Sequence, residues 1–389
     1  MTPAARLSAA IEVLDRILAG QAAEQALTNW GRGHRFAGSG DRAALRDLVF
    51  DALRCRRSHA ALGGGETGRG LILGGLREAG VAVSGLFTGE GHAPAPVRAD
   101  EAGRVPTGAE ALDCPDWLLA PLRDSLGAET DAVLRALRYR APVFVRVNLA
   151  RCTRAAAHQA LARDGILARS HPLAKTALEI TENARKIHNS AAYLDGLVEL
   201  QDAASQAVVA ALPLRAGLRV LDYCAGGGGK SLAMAALGAR VTAHDANPAR
   251  MSDLPARAKR AGAQIKIVEN AAVSAPYEMI LIDAPCSGSG SWRRDPQGKW
   301  ALTPQRLAEI HALQAQILDE VADLPVPGGT LAYATCSVLR SENTAQVEGF
   351  LARHPGWTLT QSQHFTPLLG GDGFFMAMLT APMPQHTQL

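Results

Sequence analysis

From residue 217 onward the chain alternates short β-rich runs with helical runs, and no other feature restricts its fold as tightly. The runs fall at 218–223, 230–237, 240–243, 248–261, 265–268 and 279–282. Strands separated by helices cannot pair through tight hairpins, so they read as βαβ units of a doubly wound parallel sheet. A long helix follows, with Thr303 as cap, Pro304 at its first position, and Leu307, Ile310, Leu313, Ile317 and Val321 on one face. Strands at 330–334 and 374–379 complete the sheet.

The earlier part of the chain follows other periods. Leu7, Ile11, Leu14, Ile17 and Leu18 recur at helical spacing, as do Leu45, Leu48, Val49, Ala52 and Leu53. Residues 1–130 are therefore expected to form an all-helical domain, with loops at 63–65, 68–70 and 92–108. Residues 131–215 read as a small α/β subdomain: 143–147 is β-rich, Thr153 can cap a helix ending before Gly165, and 177–180 is strand-like. The sheet domain then occupies 216–389. Three domains suit a chain of 389 residues in which 47% are hydrophobic, because that length exceeds what one core organises.

A net charge of +3 is too small to mark the whole surface as a polyanion binder. Arginines do cluster locally, at Arg32, Arg35, Arg42, Arg46, Arg54, Arg56 and Arg57 against Asp41, Asp47 and Asp51. This cluster reads equally as a solvated helix face laced with ion pairs or as a nucleic-acid-facing patch. The six cysteines have no CxxC or other metal-ligand spacing, so no structural metal is expected. No secretory signal and no membrane-spanning run is legible; a monomer in a reducing cytoplasm, away from membranes, is the expectation.

The Gly-rich segment Asp222-Tyr-Cys-Ala-Gly-Gly-Gly-Gly-Lys-Ser231 joins the first strand of the sheet to its first helix. Ligands bind at this junction in doubly wound folds. A phosphate loop would need glycine five positions before Gly229, where Cys224 stands; a dinucleotide fingerprint starting at Gly226 would need Gly or Ala at 231, which is serine. A nucleoside ligand without pyrophosphate remains. Asp245 ends the second strand, roughly twenty residues beyond the glycines, where a carboxylate can accept from ribose hydroxyls; as a helix cap it is less suited than Asn247, which precedes Pro248. Ribose without phosphate points to S-adenosylmethionine, with Cys224 taking part through its backbone.

Two thiols stand in motifs of their own. Asp283-Ala-Pro-Cys286-Ser-Gly-Ser-Gly290 ends the fourth strand and Thr335-Cys336-Ser337 ends the fifth. Both ends open onto the same crevice, so two thiols and a carboxylate are expected to converge beside the cofactor. Cys55, Cys114 and Cys152 read instead as small core hydrophobes. Carbon 5 of cytosine is a poor nucleophile, and such a cluster can activate it. A thiolate adding at carbon 6 makes carbon 5 enamine-like, a base then removes the carbon 5 proton, and Asp283 can serve the N3 and amino edge. Residue chemistry alone leaves open which thiol attacks.

At these residues the chain closely resembles the Nop/Sun family of RNA (cytosine-5) methyltransferases, particularly its bacterial 16S ribosomal RNA members. The likeness spans roughly 130–380. It runs through Arg146-Val-Asn148, Glu199-Leu-Gln-Asp202, the 222–230 loop, Asp283 to Gly290, Arg293-Arg294 to Trp300, Thr335-Cys-Ser337 and Asp372-Gly-Phe-Phe375. The resemblance implies a class I methyltransferase domain after a ferredoxin-like RNA-binding subdomain, with a front resembling an antitermination-factor-like RNA-binding domain. It implies Cys336 as nucleophile and Cys286 as base or release residue. It also implies cofactor contacts from Cys224, Ala225, Gly226, Gly227, Gly228, Gly229, Lys230, Asp245 and Asp283, with Lys230 near the active site. Gly226 and Gly227 stand where the family usually reads Ala-Pro, so a more flexible loop is expected. Asn270 stands where an acidic residue commonly meets the adenine side. Arg293 and Arg294 read as phosphate contacts or as structural ion pairs. Two other functions fit less well: a methyltransferase on a non-RNA substrate, and a non-catalytic RNA-binding assembly factor.

Overall fold

The computed structural model of the protein describes residues 1–383. Two compact units are present, one made of Met1–Arg140 with Trp292–Leu302 and the other of the remaining described chain.

The first unit is helical. Helices Pro3–Leu18, Ala23–Gly33, Ser39–Arg54, Arg56–Gly63 and Gly68–Glu78 enclose a core that includes Leu14, Trp30, Leu45, Val49, Leu53 and Leu71. The glycines at 68–70, expected in a turn, instead open a helix whose first turn is capped by the Thr67 hydroxyl accepting from the Gly70 amide at 3.0 Å. Close approach explains these glycines. A Cβ on Gly74 would lie 1.9 Å from the His59 carbonyl oxygen, and one on Gly63 would lie 1.8 Å from that of Gly70, so the two helices meet backbone to backbone. The segment Trp292–Leu302 completes this unit. Lys299 is buried and donates to the carbonyls of Arg54 at 3.2 Å and Asp113 at 2.7 Å, and burial draws its pKa down to about 8.

The second unit holds two sheets. β1 (Val143–Val147), β2 (Leu167–Ser170), β3 (Ala177–Glu182) and β4 (Val198–Leu200) form an antiparallel sheet of order β2-β3-β1-β4, the ferredoxin-like arrangement. Thr153 caps the helix Arg154–Arg163, accepting from the Ala156 amide at 3.2 Å. β2 and β4 escape sequence reading because they are three or four residues long, and β2 buries no side chain.

The larger sheet contains β5 (Arg219–Asp222), β6 (Arg240–Ala243), β7 (Ile265–Ile267), β8 (Tyr277–Asp283), β9 (Pro325–Thr335), β10 (Thr358–Phe365) and β11 (Phe374–Thr380) in the order β10-β11-β9-β8-β5-β6-β7. β5 to β9 pair in parallel, and β11 and β10 close the edge antiparallel. Both faces are covered: Met279 and Leu281 join one core, Ile280 and Ile282 the other. β10 carries a polar edge sequence with only Phe365 buried, which leaves no alternating pattern to read.

Candidate active site

The chain runs β5, β6, β7 in one direction across the sheet and then returns to place β8 on the other side of β5. Order reverses between β5 and β8, and the crevice beyond their carboxyl ends is where such sheets bind ligands. Asp222 ends β5 and Asp283 ends β8; Cys336 follows β9 by one residue.

The two motif thiols meet there. Cys286 Sγ lies 3.3 Å from Cys336 Sγ, and both residues are partly exposed. Lys230 Nζ donates to Asp283 Oδ2 at 2.5 Å and lies 5.0 Å from the centre of the Phe374 ring. The thiols are not equivalent. Cys336 is held below the usual thiol range, first by the hydrogen bond from Cys286 and further by the Lys230 charge and the Ser291 hydroxyl, which donates at 3.9 Å. Cys286 is pushed well above that range by the same hydrogen bond, by burial, and by the charges of Cys336 and Glu342. Cys336 is thus the more easily ionised thiol of the pair and Cys286 the more firmly protonated one.

A buried network holds the two thiol loops together, and sequence reading missed its centre. Glu342 is fully buried and accepts from the Ser287 amide at 2.7 Å, the Ser287 and Ser337 hydroxyls at 2.5 Å each, and Gln314 Nε2 at 3.2 Å. Gln314 also donates to the Pro285 carbonyl at 2.9 Å. On the helix Pro304–Val321 the expected Leu313 is exposed, and Gln314 occupies the buried stripe instead. A polar residue there breaks the apolar period because it serves the loop after β8. The Ser341-Glu342-Asn343 run shortly after Cys336 was the only available signal, and three polar residues in a loop normally mark solvent.

The Gly-rich loop, expected to be flexible, carries hydrogen bonds with two neighbouring segments. The Gly226 amide donates to Asp245 Oδ2 at 2.9 Å, and Asp245 is buried with its Oδ1 accepting from the Asn247 amide at 2.9 Å. Arg250 lies 3.3 Å from the same carboxylate. Arg257 donates to the Gly227 carbonyl and reaches Glu199 at 3.4 Å. A Cβ on Gly227 would lie 2.7 Å from Arg257 Nη1, so the guanidinium fills space that a larger residue would need. Gly228 has φ +78°, and a Cβ there would lie 2.2 Å from Leu254 Cδ1; glycine is required on both counts. Gly229 begins the helix Gly229–Ala236, which carries Lys230. Within this loop the Ala225 amide donates to the His244 carbonyl at 2.9 Å, while Cys224 is partly exposed, its thiol pushed up by burial. Asp222, behind the loop, accepts from Ser231 Oγ at 2.5 Å; its other oxygen is buried without a partner, and burial raises its pKa to about 6.

The family profile described as 16S rRNA methyltransferase RsmB/F matches residues 209–387, the stretch that carries the Gly-rich loop and both thiols. A second profile, an RsmF/B-like ferredoxin-like domain, matches 114–188. The chain belongs to the RsmB/F family. Ribosomal RNA small subunit methyltransferase B of Salmonella arizonae is 35% identical over 282 residues, covering 68% of this RsmB/F chain and 66% of the relative. The chain therefore spans slightly less than two thirds of that relative's length. The crystal structure of PH0851 matches the fold with a TM-score of 0.78 at 23% identity, covering 97% of this chain and 99% of the other. NSun6 from Pyrococcus horikoshii, solved with SFG, matches with a TM-score of 0.61 at 17% identity, over 68% of this chain and 98% of the other.

Other expected site residues of this RsmB/F chain lie as follows. Asn270 is exposed, and its amide oxygen accepts from the Ala272 amide at 2.9 Å, so its amide nitrogen is the part that can serve a ligand. Asn247 caps the turn Pro248–Met251, the role assigned to it over Asp245. Arg293 is buried and its carbonyl accepts from Arg54 at 2.7 Å, whereas Arg294 is exposed. In the helical unit Cys55, His59 and Glu78 bring ligand-type atoms within 4.8 Å of one another. The Arg138 guanidinium already donates to Glu78 at 2.5 Å, so this group is an ion-pair cluster with its cation built in. No described helix is long and apolar enough to cross a membrane.

Proposed function

We propose that this chain methylates carbon 5 of a cytosine in 16S rRNA, with S-adenosylmethionine as donor. Membership of the RsmB/F family supports the reaction class, and the name of its relative, a small-subunit ribosomal RNA methyltransferase, supports the substrate. The chemistry rests on one observation: two inequivalent thiols 3.3 Å apart, beside a lysine–aspartate pair, at the switch point of the sheet.

The loop suits an adenosyl ligand. Gly226 and Gly228 present backbone at positive φ with no side chain in the way, and Asp245 supplies a buried carboxylate at the end of β6. Cys224 through its backbone, Ala225 to Lys230, Asp245, Asn270 and Asp283 would hold the group, which when bound supplies an electrophilic methyl on a positive sulfur.

Cys336 attacks first because it is the thiol of the two that ionises more readily. Its sulfur bonds to carbon 6 of the cytosine, the 5,6 double bond opens toward carbon 5, and carbon 5 becomes able to accept the methyl. Asp283, steadied by Lys230, serves the N3 and amino edge while charge builds on the ring. Cys286 then changes role. Once Cys336 is a thioether, a negative sulfur no longer opposes ionisation of Cys286, so Cys286 releases its proton to bulk water and its thiolate then takes the carbon 5 proton, leaving that electron pair to re-form the ring double bond. The bond from Cys336 to carbon 6 breaks as the double bond re-forms. The ferredoxin-like subdomain and the helical unit are assigned to holding the RNA.

The test is methyl transfer from labelled S-adenosylmethionine to a 16S rRNA transcript. Cys336→Ala is expected to transfer nothing, and Cys286→Ala to leave a covalent protein–RNA band that survives denaturing electrophoresis. Full activity in Cys336→Ala overturns the mechanism.

A further inference from the structure

Arg146 opens the Arg-Val-Asn motif on β1, and the chemistry above gives it no task. Val145 and Val147 point into the core of the small subdomain, whereas Phe144 belongs to a different cluster, so alternation puts Arg146 on the opposite face. There it is buried, 5% exposed, and its Nε and Nη1 have no hydrogen-bond partner. Glu199 is its register partner across β1 and β4, but both Glu199 oxygens are engaged, one by Arg257 at 3.4 Å and the other by Arg260 at 2.6 Å. Three guanidiniums therefore share one carboxylate. Burial lowers the pKa of Arg146 to about 10, with Glu199 opposing the shift and Arg257 adding to it. A buried cation without its own counter-ion is costly and usually signals a missing anion.

Arg146 also forms part of the wall of a cavity of about 460 Å³ whose other walls are mainly apolar, among them Leu149, Leu173, Val209, Ala233 and Leu237. That volume falls in the range of small-molecule sites. None of the loop at 224–230, Asp245, Asp283, Cys286 or Cys336 lines it, so it is separate from the methyl-transfer site. Of its polar lining, the Thr176 hydroxyl already donates to Gln206 at 2.8 Å, which leaves two cations to meet an anion, the buried Arg146 guanidinium and the exposed Lys175 at the rim. We infer that this cavity binds a small aliphatic carboxylate, its carboxylate meeting Arg146 and its hydrocarbon chain lying among the apolar walls. A phosphate or sulfate would satisfy the charge but leave those walls wet.

Sodium hexanoate, hexan-1-ol and inorganic phosphate are the probes, applied to the full chain by calorimetry and thermal shift. Hexanoate is expected to bind saturably and raise Tm, with the alcohol and phosphate much weaker. Ala210→Phe, at an exposed lining position, should block the cavity and abolish hexanoate binding without disturbing the fold. Arg146→Gln should weaken hexanoate about tenfold or more, as loss of a charge-assisted contact does. The inference is overturned if hexanoate does not bind, if hexan-1-ol or phosphate binds as well, or if Ala210→Phe binds hexanoate normally.

Discussion

Arg257→Met isolates the brace on the Gly-rich loop. The substitution keeps the aliphatic stem and removes the donor to the Gly227 carbonyl and the contact with Glu199. Glu199 retains Arg260 at 2.6 Å, so no buried carboxylate is stranded and the fold should survive. A hydrogen bond from a charged donor contributes about 1.5–3 kcal/mol. The Arg257 side chain is 22% exposed, so the lower end applies. Roughly 1.4 kcal/mol of extra loop ordering on binding corresponds to about a tenfold rise in the KM for S-adenosylmethionine, with a smaller change in kcat. Initial rates of labelled methyl transfer to a 16S rRNA transcript measure it, and calorimetry gives the cofactor Kd directly. Gly227→Ala should act through the same contact, because its new Cβ would displace the Arg257 guanidinium. The double variant should then be little worse than the poorer single variant. A cofactor KM within twofold of wild type, or fully additive effects, refutes the brace.

Three further outcomes follow from the site. Glu342→Gln leaves at least one buried donor of the thiol loops without its acceptor, so it should lose about 2 kcal/mol of stability in denaturant melts; an unchanged midpoint would show that the network does not hold these loops. Cys336 should alkylate with iodoacetamide at lower pH than Cys286. In Cys286→Ala its reaction limb should move to higher pH, because the hydrogen bond that chiefly lowers its pKa is gone; mass spectrometry showing no shift, or a downward one, counts against the pairing. Asp222 has its folded pKa raised from 3.8 to about 6, so its contribution to stability is complete below pH 3.8 and lost as pH rises through 6. Asp222→Asn should therefore stabilise the chain by on the order of 2 kcal/mol at pH 8 and lose that advantage toward pH 4, as read by thermal melts; a constant difference across that range would exclude titration of Asp222 as its origin.

Much of the site was legible because each of its main groups stands in a local pattern. Glycines between a strand and a helix, a carboxylate closing the next strand, and thiols in small-residue turns after apolar strands each mark a strand end, and the doubly wound rule collects strand ends in one crevice. Glu342, Gln314 and Arg257 carried no such mark. Gln314 occupies a position that the apolar period assigns to a hydrophobe, and Arg257 lies on a helix whose basic residues look like a solvated face. Their roles depend on which distant backbone groups need partners.

The amino-acid sequence by itself determined the doubly wound sheet, the all-helical front, and which motifs stand at the strand ends, because periodicity and turn chemistry act over a few neighbouring residues. Tertiary structure alone decided that Cys286 and Cys336 come within 3.3 Å and that Cys336 carries the lower pKa. It also decided that a loop of four glycines is braced from a helix thirty residues away, and that Arg146 is buried beside a cavity without its own counter-ion. Distances, burial and the balance of charge are properties of groups brought together from far along the chain, and no local pattern encodes them.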